Sequence, residues 1–150
     1  MIRKATQHDI PALVELSAQM HVGSDFRDVP FDPEMTTSFF EVIVDGENCT
    51  VFVSENKEGE LTGMIGGILN PFQFSLLRKA NDLGFYVVPE EREGRAAIKL
   101  EEAYRNWAFS FEDVVRVYLG ITTGFDKIGE LYERLGYTCV GGLYRISKEK

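Results

Sequence analysis

The chain has 150 residues, enough for one domain with a sizeable core and too few for two of ordinary size. Its 44% hydrophobic and 27% charged residues are the mix of a globular protein and exclude a disordered chain. A net charge of -8 sets a repulsive field against any phosphate backbone, which argues against nucleic acid as the main partner and favours a cationic or lysine-bearing one.

Only Cys49 and Cys139 are present, far apart and without metal-ligand spacing, so neither a disulfide framework nor a metal site is expected. Met1 to Thr6 lacks the apolar core of a signal segment. No window approaches the roughly 18 apolar residues of a membrane span. These features lead us to expect a cytoplasmic protein with no membrane partner.

In chain order, Ile2 to Ala5 reads as a short strand, and Thr6-Gln7-His8-Asp9 as a helix cap with an acidic residue three positions on. Ile10, Leu13, Val14, Ser17 and Met20 then share one helical face as far as His21. Val22 to Pro33, with Gly23, Pro30 and several acidic residues, reads as a loop bordering a substrate site. Glu34 to Val44 is a second expected helix, with Phe39, Phe40 and Ile43 inward. Cys49 to Ser54 and Leu61 to Leu69 form a hairpin pattern. Phe72 to Lys79 is ambiguous, and Asp82 to Val88 is a strand that stops at Pro89. From Ala96 the period changes: Leu100, Tyr104, Trp107 and Phe111 recur at helical intervals. A strand is expected at Val114 to Thr122, a helix at Asp126 to Leu135 and a last strand at Thr138 to Ile146, where two copies could pair as a homodimer. The order β-α-α-β-β-β-α-β-α-β implies a mixed α/β sheet with helices on both faces.

The segment Val87-Val88-Pro89-Glu90-Glu91-Arg92-Glu93-Gly94-Arg95-Ala96-Ala97 joins a strand to that helix. The first amides of a helix have no partner within it, and together with its dipole they make an anion site. Small residues at 94, 96 and 97 let a pyrophosphate approach the backbone, and Arg92 and Arg95 add charge. A plain connection with solvated arginines fits the same residues.

This segment resembles the pyrophosphate loop of the GNAT superfamily of N-acetyltransferases, R-G-x-G-x-G/A after a strand ending V-x-P, and the order of elements agrees end to end. Aligned on Pro89 without a gap, Arg92 takes the first basic position and Ala97 the last small one, while Arg95 replaces the central glycine. Aligned on Gly94, the basic position falls on Glu91. The compact variant is similar to short acetyltransferases encoded by phages. A second stretch, Gly129-Glu130-Leu131-Tyr132-Glu133-Arg134-Leu135-Gly136-Tyr137, resembles the L-Y-E-K-x-G-F signature of that family. Phe125 stands where an asparagine often precedes it.

The resemblance implies a single GNAT-like domain over residues 1–150, with a mostly antiparallel six- or seven-stranded sheet. It implies acetyl-CoA as cosubstrate, held by Val87, Val88, Arg92, Glu93, Gly94, Arg95, Ala96 and Ala97. The acetyl group is expected to pass to a small-molecule or lysine amine by direct attack. Tyr132 is the candidate general acid for the departing thiolate, since a phenol's proton affinity is near a thiol's. Its place on an apolar stripe with Ile128, Leu131 and Leu135 also suits a core aromatic. Asp82 is the candidate base. His8 and His21 are weaker ones, and Asp25, Asp28 and Asp32 are candidates to attract a cationic acceptor. Gly63, Gly66 and Gly67 precede no helix and read as bulges or points of close approach. A catalytically inactive CoA-binding or structural module of the same fold is the competing reading, motivated by Arg95 and Phe125.

Overall fold

The computed structural model describes residues 1–122 and 125–148, with backbone only for Phe125 and Asp126. The chain divides into two compact units, residues 1–120 and 121–150.

The first unit is built on a five-stranded sheet in the order β1-β2-β3-β4-β5. Its strands are β1 (Ile2–Lys4), β2 (Cys49–Glu55), β3 (Leu61–Pro71), β4 (Arg78–Val87) and β5 (Val114–Tyr118). The first three pairings are antiparallel, and β4 with β5 is parallel. Hairpins join β2 to β3 and β3 to β4, whereas the parallel pair needs a crossover, supplied by α3 (Ala96–Phe109). Helices α1 (Ile10–Val22) and α2 (Pro33–Ile43) precede β2.

Strand alternation divides the core into two layers. Val51, Val53 and Met64 pack with Leu13, Leu16, Phe40 and Ile43 on the α1 and α2 side. Ile65, Leu69, Ala80 and Val87 pack with Leu100, Tyr104 and Ala108 of α3 on the other. Helices therefore cover both faces of the mixed sheet, as the element order implies. The α2 helix starts where Asp32 accepts hydrogen bonds from the Glu34 and Met35 amides at 2.9 and 3.1 Å, a side-chain cap for otherwise unpaired donors.

The structure departs from the sequence reading at several points. Phe39 is 41% exposed, because Phe40 and Ile43 alone take the inward stripe of α2. The ambiguous stretch resolves into a hairpin closed by the Phe72 amide on the Leu77 carbonyl, with Arg78 and Lys79 already in β4. β5 ends at Tyr118, four residues short of Thr122. Thr138 to Ile146 is not a strand: its Val140, Leu143, Tyr144 and Ile146 are exposed. Strand propensity is realised only through a paired ladder, and Gly141-Gly142 weakens the stretch further. The sheet thus has five strands among the described residues, not six or seven.

The second unit contains α4 (Phe125–Arg134). It ends in a hydrogen bond from the Tyr137 amide to the Tyr132 carbonyl at 3.0 Å, with Gly136 at φ +101° between them. That is the bonding of a glycine-terminated helix, and the Tyr132 and Tyr137 rings, 5.9 Å apart, supply the apolar contact that accompanies it.

Candidate functional site

The site is made by two departures from regular pairing. The first is a bulge: Gly66 pairs with Gly84 and Gly67 with Asp82, which leaves Leu83 as an extra residue on β4. Gly84 takes φ +144°, a conformation that side chains rarely adopt, and an added Cβ would stand 3.3 Å from the Met20 side chain. The second is a divergence. β4 and β5 pair only from Arg78 opposite Val114 to Asn81 opposite Tyr118, after which β4 runs on to Val87 without β5 beside it. The two strands open into a wedge, pinned at its vertex by Asp82, whose Oδ1 accepts a hydrogen bond from the Gly120 amide at 2.8 Å. Burial raises the Asp82 carboxyl above the ordinary aspartate range, and the Gly120 hydrogen bond partly offsets this.

Along the open edge the backbone groups divide. The Val88 amide donates to the Thr62 carbonyl of β3 at 2.9 Å, so it is spent within the fold. Alternation turns the polar groups of Val87 the other way, towards the wedge. There the Val87 carbonyl accepts from Arg92 Nε at 2.8 Å. Arg92 also lies over the Tyr86 ring, 5.4 Å from its centroid. Its guanidinium is thus anchored beside the strand end and is not free to swing with the loop.

Beyond Val88 the chain makes a short 3-10 turn, Pro89–Glu91, and enters α3 at Ala96. Arg95 occupies the cap position with no side-chain hydrogen bond to the helix, and the first helical bond runs from the Lys99 amide to the Arg95 carbonyl. The leading amides of α3 are therefore left for a ligand or water. Glu93, Gly94 and Arg95 are exposed, Ala96 and Ala97 half-buried. A Cβ at Gly94 would meet only the Glu91 carbonyl, at 3.3 Å, so the approach to the turn is open. Open strand edge and uncapped helix lie end to end, a shape for a long ligand with an anionic end.

The remaining candidates separate. Tyr132 belongs to the second unit, where it is buried on α4. His8 is exposed in the turn before α1. His21 Nε2 lies 2.6 Å from the Val29 carbonyl and borders an open depression of about 400 Å³ with Phe26, Val29, Pro30, Phe31 and Asp32. Asp32 is committed to the α2 cap, and Asp28 is exposed. Gly67 is a point of close approach as expected, since its Cβ would stand 2.5 Å from the Tyr104 ring. Among the described residues no group of three or more His, Cys, Asp or Glu is placed to hold a metal, and no helix is long and apolar enough to cross a membrane. The sequence reading missed Gly84 and Gly120. Gly84, a glycine inside an apolar run, was the available signal for a bulge.

The acetyltransferase (GNAT) family profile matches residues 12–137. Among solved structures, a mutant of the BH1408 protein from Bacillus halodurans superposes with a TM-score of 0.81 at 21% identity, covering 99% of both chains. A predicted acetyltransferase from Clostridium acetobutylicum, crystallised with acetyl-CoA, gives a TM-score of 0.80 at 16% identity over 98% of this chain and 95% of its own. An aminoglycoside antibiotic 6'-N-acetyltransferase from Acinetobacter baumannii gives 0.77 at 12% over 100% and 98%. At such identities these likenesses establish the fold. A search of curated proteins gives no sequence match. The chain belongs to the acetyltransferase (GNAT) family.

Proposed function

We propose that the chain is an N-acetyltransferase that moves the acetyl group of acetyl-CoA to a primary amine by direct attack. The observation that carries this reading is the wedge between β4 and β5 running into the uncapped start of α3. The amides of Glu93 and of Arg95 to Ala97 would hold the pyrophosphate, the Gly94 amide being spent on the Glu91 carbonyl at 3.2 Å, with Arg92 and Arg95 supplying charge against the acidic surface. The Val87 amide, turned into the wedge, is the group suited to polarise a thioester carbonyl there. Val88, which the sequence reading paired with it, would act only through its place at the strand end.

In the reaction the amine nitrogen bonds to the acetyl carbon as the carbon–sulfur bond breaks. The proton lost from nitrogen passes to Asp82, directly or through water. Its half-buried carboxyl is a better base than an ordinary aspartate because desolvation disfavours the charged form. On its motif we assign Tyr132 the proton delivered to the thiolate.

A second reading, an inactive coenzyme-binding module, is favoured by the tethered Arg92 and by three glutamates, Glu90, Glu91 and Glu93, around the turn. Release of free thiol from acetyl-CoA in the presence of a panel of amines separates the two. Amine-stimulated release supports the transferase, and coenzyme binding without it supports the module.

A further inference from the structure

Helix α2 carries two apolar stripes, and the fold covers only one of them. Phe40 and Ile43 are buried in the layer between α1, α2 and the sheet. Met35, Phe39 and Val42 recur at i, i+4 and i+7, so they line up along a second side of the same helix. These three are 69, 41 and 70% exposed. A surface helix normally turns polar beyond its core face, and a contiguous exposed apolar patch marks an interaction surface. The stripe also runs into a concavity. Met35 helps to line the open depression of about 400 Å³, together with Phe26, Val29, Pro30 and Phe31.

The loop that walls the depression is held by its own hydrogen bonds. Buried Ser24 donates from Oγ to the His21 carbonyl at 2.9 Å and accepts from the Phe26 amide at 3.1 Å, and the Val29 amide donates to the Phe26 carbonyl at 2.9 Å. The rim around this groove has one sign. Glu34 and Glu41, seven residues apart, run alongside the stripe on the side away from the core, and Asp28 and Asp32 stand on the loop. All four are exposed, and no described Lys or Arg lies within 4.0 Å of Glu34 or Glu41. Between Val22 and Val44 the only basic residue is Arg27, whose Nη1 donates to the Ser24 carbonyl at 3.2 Å.

Charge selects the occupant. A second copy seated on this face would set the same acids against one another, and an anionic lipid surface would be repelled in the same way. We infer that the outward stripe of α2 and the depression beside it dock a basic amphipathic helix of another protein. Its apolar face fills the groove, and lysines or arginines flanking that face meet Glu34, Glu41 and Asp28. From Met35 to Val42 the stripe is about 10 Å long, two helical turns, and the depression extends it. Met35 suits the junction, since an unbranched thioether repacks around different partners. The docking face uses none of the residues of the wedge or of the start of α3, and it stands whether or not the chain transfers acetyl groups.

The probe is a fluorescein-labelled leucine–lysine peptide of about five helical turns with its leucines on one face, titrated with the full chain and read by anisotropy. Micromolar binding is expected, at least about tenfold tighter than for a peptide of the same composition with its leucines scattered round the helix, and than for a leucine–glutamate counterpart. Met35→Gln and Val42→Gln, both at exposed helix positions that glutamine suits, should each weaken binding about tenfold with the thermal midpoint unchanged. Glu34→Lys with Glu41→Lys should weaken it at least as much and flatten its dependence on salt. No binding of the leucine–lysine peptide, equal binding of the scattered peptide, or binding that both glutamine variants retain overturns the inference. So does a dimer of the chain, or its capture by phosphatidylglycerol vesicles, that Val42→Gln abolishes, since either assigns the face to a different occupant.

Discussion

Asp82 Oδ1 accepts the Gly120 amide hydrogen at 2.8 Å at the point where β4 and β5 part. One side chain thus ties the end of the shared ladder to the start of the gap, and it does so as a half-buried carboxylate that is more easily neutral than an ordinary aspartate. The relationship separates two roles by substitution. Asp82→Asn keeps an oxygen that accepts the Gly120 hydrogen but removes the base. The variant should be as stable as wild type or slightly more so near neutral pH. A raised carboxyl favours the fold below its unfolded value, and this contribution is lost as pH rises through the folded value, so removing the charge removes the cost. Its kcat should fall by about 100-fold or more if the carboxylate is the base. Full activity in Asp82→Asn with loss in Asp82→Ala would leave Asp82 as a pin only.

A packing prediction concerns Gly67. A methyl group there would stand 2.5 and 2.8 Å from Tyr104 ring carbons and 3.1 Å from Trp107, and Tyr104 is fully buried with its hydroxyl bonded to the Tyr118 carbonyl at 2.9 Å. Gly67→Ala should therefore destabilise the protein by about 1–3 kcal/mol, the cost of overpacking a filled core, read as a lower midpoint in urea. A midpoint equal to wild type would show that the Tyr104 ring gives way freely.

Acid stability should depend on Arg3. Its guanidinium holds Asp9 by two hydrogen bonds of 2.8 Å and also pairs with Glu55. The Arg3 hydrogen bonds lower the Asp9 carboxyl from 3.8 to about 2. A lowered carboxyl contributes stability present above its unfolded value and lost as pH falls through the folded one, so this contribution should fade between pH 3.8 and about 2. Asp9→Asn should be less stable than wild type at neutral pH, with the difference shrinking across that window. A constant difference down to its lower end would contradict the pairing.

For Tyr132 the motif has two causes that mutation can part. The Tyr137 amide and ring close the α4 terminus on the Tyr132 carbonyl and ring, with Gly136 in a positive-φ conformation. Tyr132→Phe keeps all of this and removes only the hydroxyl, so unfolding should change little while kcat falls about 100-fold if the phenol is the acid. Gly136→Ala should instead cost about 1 kcal/mol through its backbone. Unchanged kcat in Tyr132→Phe would leave the motif as a helix ending.

Much of the fold was legible because periodicity and breakers reported it directly. The α1 stripe, the hairpin, Pro89 and the change of period at Ala96 are local signals that the structure retains. What was not legible depends on partners distant in sequence. The start of β4 is polar, with Arg78 and Lys79 satisfied by Asp113, Phe72 and Tyr118, so alternation of apolar residues could not reveal it. Thr138 to Ile146 has strand composition without a paired ladder. The turn from Val87 to Ala97 could be located but not detailed: that Arg92 folds back on Val87, and that the Val88 amide is spent on Thr62, follow only from three-dimensional placement.

The central claim, that the wedge and the uncapped start of α3 hold acetyl-CoA, is tested most directly by calorimetric titration of acetyl-CoA into wild type and Gly94→Trp. Gly94 is exposed, and a side chain there meets only the Glu91 carbonyl, so the variant should fold while its indole blocks the turn. Micromolar binding by wild type, lost in the folded variant, is the predicted result. No binding by wild type, or equal binding by both, would contradict it.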